Sequence, residues 1–176
     1  MGELYVKAGS GGTPTSSNTQ YYGGNIPFLG IADIKERYIY STAKTLTELG
    51  LKNSAAWIVP KGAISLAMYA SVGIVGILTN DTATSQAFYN MIFEDEGLRD
   101  FIYSRLEKAG RDKEWEPYIS TGTQRNLNAE KVKCFKVVIP HSNLEQKMIG
   151  NYFKNLDHLI TLHQCKENTI NYDLLT

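Results

Sequence analysis

Cysteine is scarce. Only Cys134 and Cys165 occur among the 176 residues, one in an apolar run and one in a helical stretch, without the pairing or ligand spacing of a disulfide framework or a zinc site. This usage fits a reducing, cytoplasmic setting. Long apolar runs are missing as well: nothing approaches the ~18 consecutive apolar residues of a membrane span. The start, Met1-Gly2-Glu3-Leu4, has neither a basic nor an apolar leader region, so neither membrane insertion nor export is expected. A charge excess is also lacking, with 18 Lys and Arg against 18 Asp and Glu. That balance is no nucleic-acid footprint by itself. The charges are uneven, however: residues 61–120 carry 6 basic and 9 acidic side chains, and residues 121–176 carry 7 and 5. A neutral chain can still present a basic face, particularly where a partner supplies much of a phosphate clamp.

Catalytic patterns are absent too. Methyl transfer to adenine needs a Gly-rich strand-to-helix loop for the cofactor and a Pro-Pro-aromatic turn for the flipped base, and neither occurs. Gly9 to Gly12 is followed by no Gly-Lys-Ser/Thr and is preceded by no convincing strand. The acidic run Glu94-Asp95-Glu96 reads as a solvated loop before a helix rather than as half of a metal-dependent nuclease. His141, His158 and His163 have no Ser or Cys nucleophile arranged with them and read as surface or helix-seam residues. No catalytic residue, metal ligand or cofactor site is expected in this chain.

What is present suffices for one core plus an appendage: 43% of residues are hydrophobic and 11% aromatic. Residues 9–24 are rich in Gly, Ser, Thr and Asn and predict a loop with many donors. Short apolar runs then follow at Ile26–Ile34, Ala55–Val59, Ala63–Tyr69, Val72–Leu78 and Gln86–Phe93, broken by turn signals such as Pro60-Lys61-Gly62, and predict buried strands. Leu98, Phe101, Ile102 and Leu106 share one helical face, with Gly110 expected to end that helix. A polar segment, Ser120–Asn128, leads into a short helix or turn and then an expected strand, Phe135–Ile139, stopped by Pro140.

Ser142-Asn143-Leu144-Glu145 is a capping box and predicts a helix from about 143 to 170. Ile149, Tyr152, Leu156, Leu159, His163, Lys166 and Ile170 alternate spacings of three and four, the a/d pattern of a coiled coil, with Phe153 and Ile160 beside it. Two uses stay open: a seam for a second helix, or an amphipathic helix lying on its own domain. The side chains suited to reading bases or reaching phosphates are Gln, Asn, Arg, Ser, Thr, Tyr and Lys, and Thr123-Gln124-Arg125-Asn126 sets a hydroxyl beside three base readers in one loop.

A resemblance goes further than these patterns. Gly11-Gly12-Thr13-Pro14, Tyr21 to Phe28 (YYGGNIPF) and Ile31-Ala32-Asp33-Ile34 resemble the opening of a target recognition domain of type I restriction-modification specificity subunits. Gly50 to Ala56, Val59 to Gly62, Leu66 to Gly73 and Thr82 to Ala87 look like that family's central segments. Gly122 to Asn128, Ile139-Pro140, Glu145 to Ile149 and Leu156 to Ile160 resemble its closing loop and its conserved-region helix.

The resemblance implies a mixed α/β (α+β) recognition domain with a twisted, strand-rich core over residues 1–141, then one long coiled-coil-type helix over 142–176 for dimerisation, spacing and subunit docking. It implies binding to double-stranded DNA and to modification subunits, and through them to the restriction and motor subunit. Methyl donor, ATP and magnesium are then expected on those partners only. Members usually hold two such units, which read the two halves of a split target; this chain has one. A homodimer through Ile149, Tyr152, Phe153, Leu156, Leu159, Ile160 and His163 would restore the pair. DNA contacts are expected from Thr13, Thr15, Ser16, Asn18, Tyr69, Ser71, Thr123, Gln124, Arg125 and Asn126, with Lys35 and Arg37 as further candidates. Structural roles compete: Gly11, Gly12 and Pro14 can shape a turn, Tyr69 can be core, and Gln124 and Asn126 can tie the loop down. A non-catalytic scaffold that mimics a specificity subunit is the alternative from another class.

Overall fold

The structure is a computed structural model and describes residues 1–120 and 126–173, with side chains described through Gln164 and at Lys166. In chain order the elements are β1 (Lys7–Ser10), β2 (Tyr22–Leu29), β3 (Tyr38–Ile39), β4 (Lys44–Leu46), α1 (Glu48–Lys52), β5 (Ile58–Val59), β6 (Ile64–Ala67), β7 (Val75–Leu78), β8 (Thr82–Thr84), β9 (Phe88–Ile92), α2 (Glu96–Arg111), α3 (Ala129–Cys134) and α4 (Asn143–Asp173). The strands form two sheets, one ordered β1-β9-β6-β7-β3 and one ordered β4-β2-β8-β5. The first is antiparallel except for β3 beside β7, and the second is antiparallel except for β2 beside β8.

The central strands β6 and β9 are buried on both faces, and strand alternation divides their side chains between two layers. Ile64, Leu66, Tyr89 and Met91 point to one side, where they meet Phe101, Ile102, Leu106 and Ala109 of α2 together with Trp115, Leu127, Val132 and Phe135. Ala67 and Phe88 point to the other and join Leu29, Ile39, Val59 and Leu78. The layers therefore run helix, five-stranded sheet, four-stranded sheet.

Asp95 caps α2 by accepting from the Leu98 backbone N–H at 2.7 Å, and this hydrogen bond, foremost, holds its carboxyl below the usual range. The middle of the acidic run is thus a helix cap. The expected apolar face is the buried one, but the helix passes through Gly110 to Arg111. A Cβ at Gly110 would stand 2.7 Å from the Gly73 carbonyl oxygen, so this glycine permits close packing rather than ending the helix.

Two strand expectations change. Residues 7–10, the segment before the glycine run, are a strand after all, paired with β9. Residues 135–139 are not one: Phe135 is buried and stacks on Trp115 at 4.2 Å between ring centroids, while Val138 is 90% exposed. No helix among the described residues is long and apolar enough to cross a membrane.

α4 starts where the capping box predicts, with the Ser142 hydroxyl accepting from the Glu145 backbone N–H at 3.4 Å. Its 31 residues extend about 46 Å at 1.5 Å per residue. The helix carries two apolar faces. Ile149, Phe153, Leu156 and Ile160 border α2, although Phe153 and Ile160 keep 42% and 55% of their surface exposed, while Leu144, Met148, Tyr152, Leu159 and Leu162 are 46–67% exposed on another side. The expected seam falls between these faces: Ile149 packs against its own core, Tyr152 and Leu159 belong to the outward stripe, and the Ile170 side chain lies outside the described residues; the helix lies on its own domain along one face and is open along the other.

Candidate nucleic-acid interface

The donor-rich loop after β1 is pinned at its base. Gly11 and Gly12 donate backbone N–H groups to the carbonyls of Ser85 and Thr84 at 3.2 and 3.1 Å. A Cβ on Gly11 would lie 1.8 Å from the Thr84 oxygen, so only glycine lets the two backbones meet. Next, the Thr13 hydroxyl donates to the Gln86 side-chain oxygen at 2.8 Å on the surface. Pro14 is buried, and its carbonyl accepts from the Tyr22 hydroxyl at 2.7 Å. Between these anchors and β2, Thr15 and Ser16 are exposed. Asn18 is engaged structurally, its side-chain oxygen accepting from the Gln20 N–H at 3.1 Å.

The β8–β9 connection that holds this loop also touches the turn after β6. Met68 N–H donates to the Ala87 carbonyl at 2.7 Å, and the Met68 carbonyl accepts from Leu127 N–H at 2.9 Å. Tyr69 and Asn126 form an isolated antiparallel bridge, and Ser120 N–H donates to the Asn126 carbonyl at 3.0 Å. The order along this edge is loop 11–18, connection 84–87, turn 68–73, segment 126–127. Thr13, Thr15, Ser16, Tyr69, Ser71 and Asn126 therefore share one edge although the sequence scatters them over more than a hundred positions. Tyr69 is half-buried against the core, and Asn126 ties its segment to the domain through its backbone. Thr123, Gln124 and Arg125 lie outside the described residues.

The turn itself is strained. Ala70 has φ of 56° and Gly73 φ of 93°, two left-handed residues among four. Beside it, Lys113 is exposed and also left-handed, with φ of 58°, and it lines a hollow of about 230 Å³ with Ala70, Ser71, Val72 and Trp115. The Lys131 ammonium donates to the Ser120 hydroxyl at 3.0 Å. This edge thus offers amides and hydroxyls at its centre and ammonium groups at its margin. Sequence reading missed Gln86, although its segment belongs to the family-like run Thr82 to Ala87, and Lys113, which sits in no motif.

Lys35 is exposed and borders the edge, lining a hollow of about 410 Å³ with Val72 and Gly73 of the turn, whereas Arg37 does not join it. Lys35 also lines the cleft between β3 and α4. Arg37 is 5% exposed; its Nε donates to Asp157 Oδ2 at 2.7 Å, its Nη2 donates to Ser104 Oγ at 3.0 Å, and its guanidinium lies 4.1 Å from the Tyr103 ring centre. A guanidinium enclosed in this way is not available to a phosphate, which corrects the expectation for Arg37. Nearby, burial and then the Asp157 carboxylate push the Glu107 carboxyl up, and burial, with Glu107, pushes the Tyr103 phenol up. Among the described residues no group of three or more His, Cys, Asp or Glu is placed to hold a metal ion.

Comparison with known proteins agrees with this architecture. Residues 2–172 match the family model described as the type I restriction modification DNA specificity domain. The chain is 32% identical over 164 residues to the MjaIX specificity subunit of Methanocaldococcus jannaschii, covering 91% of this chain and 37% of that protein. It is 26% identical over 156 residues to the HindI specificity subunit of Haemophilus influenzae, covering 85% and 34%. It therefore spans little more than a third of the length of these relatives. Among solved structures, one of a type I restriction-modification system aligns with TM-score 0.66 at 19% identity, over 96% of this chain and 40% of the other. The M. genitalium S subunit aligns with TM-score 0.60 at 16% identity, over 89% and 37%. A two-sheet domain with a long C-terminal helix, matched almost end to end by one family model, belongs to the type I restriction-modification specificity subunit family.

Proposed function

We propose that this chain is a non-catalytic DNA-reading module that recognises one half of a split target and directs adenine methylation or cleavage carried out by partner subunits. The observation that carries this reading is the single edge on which four separate segments meet through the Thr13–Gln86, Met68–Ala87 and Tyr69–Asn126 contacts. Thr13, Gln86, Tyr69, Ser71 and Asn126 supply donors and acceptors for base edges, and Thr15, Ser16, Lys113 and Lys131 supply phosphate contacts. With 18 basic against 18 acidic side chains, the chain alone provides little counterion release, so modification subunits complete the grip. Methyl donor, ATP and magnesium belong on those partners.

The second element of the reading is a homodimer. The relatives are long enough for two such units, and two copies joined through α4 would present two reading edges related by a two-fold axis. The outward stripe Leu144, Met148, Tyr152, Leu159 and Leu162 is the surface this dimer would bury.

Selection from a randomised DNA pool, with and without a cognate modification subunit, tests the reading. Enrichment of a split, symmetric motif supports it. Retention of the modification subunit with no enriched motif would favour a scaffold that mimics a specificity subunit, for which the neutral charge is the supporting observation.

A further inference from the structure

We infer that the Arg37–Asp157 ion pair is a positioning contact that sets the angle of α4 against the recognition domain and, through that angle, the spacing between the two half-sites. This rests on the dimeric DNA-reading function proposed above. Arg37 is held to the domain from both ends. Its backbone carbonyl accepts from Ile77 N–H of β7 at 2.8 Å, and its guanidinium is gripped by Ser104 and Tyr103 of α2. From this fixed base it reaches Asp157 of α4 at 2.7 Å, with side-chain exposures of 3% and 31%. One residue therefore joins sheet, α2 and α4, the first through its backbone and the helices through its side chain.

Lys154 adds a longer contact, its ammonium 4.0 Å from Asp100 Oδ2 and 5.8 Å from the Tyr38 ring centre, so the Arg37–Asp157 pair is the short and most enclosed tie beyond the start of the helix. Near its start α4 lies tightly on α2: a Cβ at Gly150 would come within 3.0 Å of the Phe101 backbone nitrogen. Farther along, the helix is flanked by a hollow of about 290 Å³ toward Phe101, Arg105 and Ile160 and by a cleft of about 630 Å³ toward Lys35, Tyr40 and Lys154. Asp157 borders both. Close packing thus provides a pivot near Gly150, and the ion pair stops rotation about it. Arg37 also buries an Nη1 that has no hydrogen-bond partner, a cost that apolar packing at this position would not incur.

The lever is long enough to matter. From the pivot near Gly150 to the end of α4 is roughly 34 Å of helix, so a tilt of ~10° moves the far end by ~6 Å, between one and two of the 3.4 Å rises of a base pair. A tethered helix therefore selects one half-site spacing, and a loosened one accepts its neighbours.

Arg37→Met removes the tie while leaving an apolar chain over Tyr103, a replacement buried ion pairs commonly tolerate. Asp157→Asn weakens it from the more exposed side and guards against misfolding of the first variant. Each variant of the 176-residue chain, with modification subunit, is selected against a pool in which both the bases and the spacer length vary. In parallel, spin labels at Lys61 and Lys166, in chains with Cys134 and Cys165 replaced by serine and diluted into unlabelled chain, report the domain-to-helix distance.

Both variants are expected to enrich the wild-type half-site bases, to accept two or more spacer lengths where wild type accepts one, and to widen the label-distance distribution by several ångströms. An unchanged distance distribution in both variants overturns the tether. A widened distribution with wild-type spacer selectivity overturns its role in spacing, as does loss of the half-site bases in folded Asp157→Asn. If wild type itself enriches no spaced motif, the DNA-reading function and the spacing role fall together, and the label distances alone decide the tether.

Discussion

The Asn90 amide donates to the Thr84 hydroxyl at 2.8 Å, joining the five-stranded sheet to the four-stranded one inside the core. Asn90 also donates to the Gly9 carbonyl at 3.0 Å and accepts from the Ser65 hydroxyl at 2.8 Å. Asn90, Ser65 and Thr84 are all fully buried. The carbonyl of the same Thr84 holds Gly12, so this polar cluster sits directly beneath the loop that carries Thr13. Buried networks of this kind are worth most when every member is satisfied.

Asn90→Ala leaves several buried polar groups unpaired and opens a cavity, and should therefore cost about 3 kcal/mol or more. Urea unfolding followed by far-UV circular dichroism measures this directly. A loss below about 1 kcal/mol would show that the network is not what joins the sheets.

Gly11→Ala forces a methyl group into the Thr84 carbonyl. Loop 11–18 should leave its seat, with DNA affinity falling at least tenfold while the cooperative unfolding transition survives. Fluorescence anisotropy with the selected DNA, alongside a thermal melt, separates these effects; unchanged affinity would remove the loop from the interface.

The two faces of α4 predict opposite outcomes for similar substitutions. Tyr152→Asp with Leu159→Asp alters only the outward stripe and should yield folded monomers with a melting temperature within ~2 °C of monomeric wild type. Ile149→Asp places a carboxylate against the domain's own core and should destabilise by about 2 kcal/mol or more. Sedimentation velocity and melting curves test both, and a dimer that survives the paired change would rule out the outward stripe as its interface.

Glu107 gives a pH signature. Its carboxyl is raised by burial and by Asp157, so between the ordinary glutamate value and the raised one the folded chain binds more protons than the unfolded chain. Its contribution to stability therefore falls as pH rises through that window and is least favourable at neutral pH. Glu107→Gln keeps an acceptor for the Tyr103 hydroxyl, which lies 3.4 Å from the carboxylate. It should raise the melting temperature by roughly 2 °C at pH 7, and the gain should vanish below the ordinary glutamate range. A gain independent of pH would mean that the carboxylate's charge is not its cause.

Much of this architecture could be read from local pattern. Ile64 and Leu66, the face of Phe101, Ile102 and Leu106, and the Ser142 capping box each signal their element because period and capping chemistry act over a few residues. The family resemblance pointed to the loops of the candidate edge. What stayed hidden depends on distant neighbours. Arg37 looks like any exposed cation in a polar stretch until Asp157, 120 positions away, is set beside it. Gly110 looks like a helix terminator until Gly73 is brought against it. The a/d reading of α4 did not separate its two faces, because the apolar side chains that lie on the domain and those that stand open overlap in a single linear pattern. Lys7–Ser10 carries no strong strand signal of its own and becomes a strand by pairing with β9.

The left-handed turn at Ala70 and Gly73 has a consequence for the thermodynamics of binding. Its backbone is already fixed by Met68, which bonds to Ala87 on one side and to Leu127 on the other, and the strain at Ala70 is met when the chain folds. A surface made rigid in advance loses little conformational entropy when a ligand arrives. Under the proposed DNA-reading function, Tyr69 and Ser71 would act as a rigid template, and discrimination between sequences at this turn would fall to how readily the duplex changes its own shape.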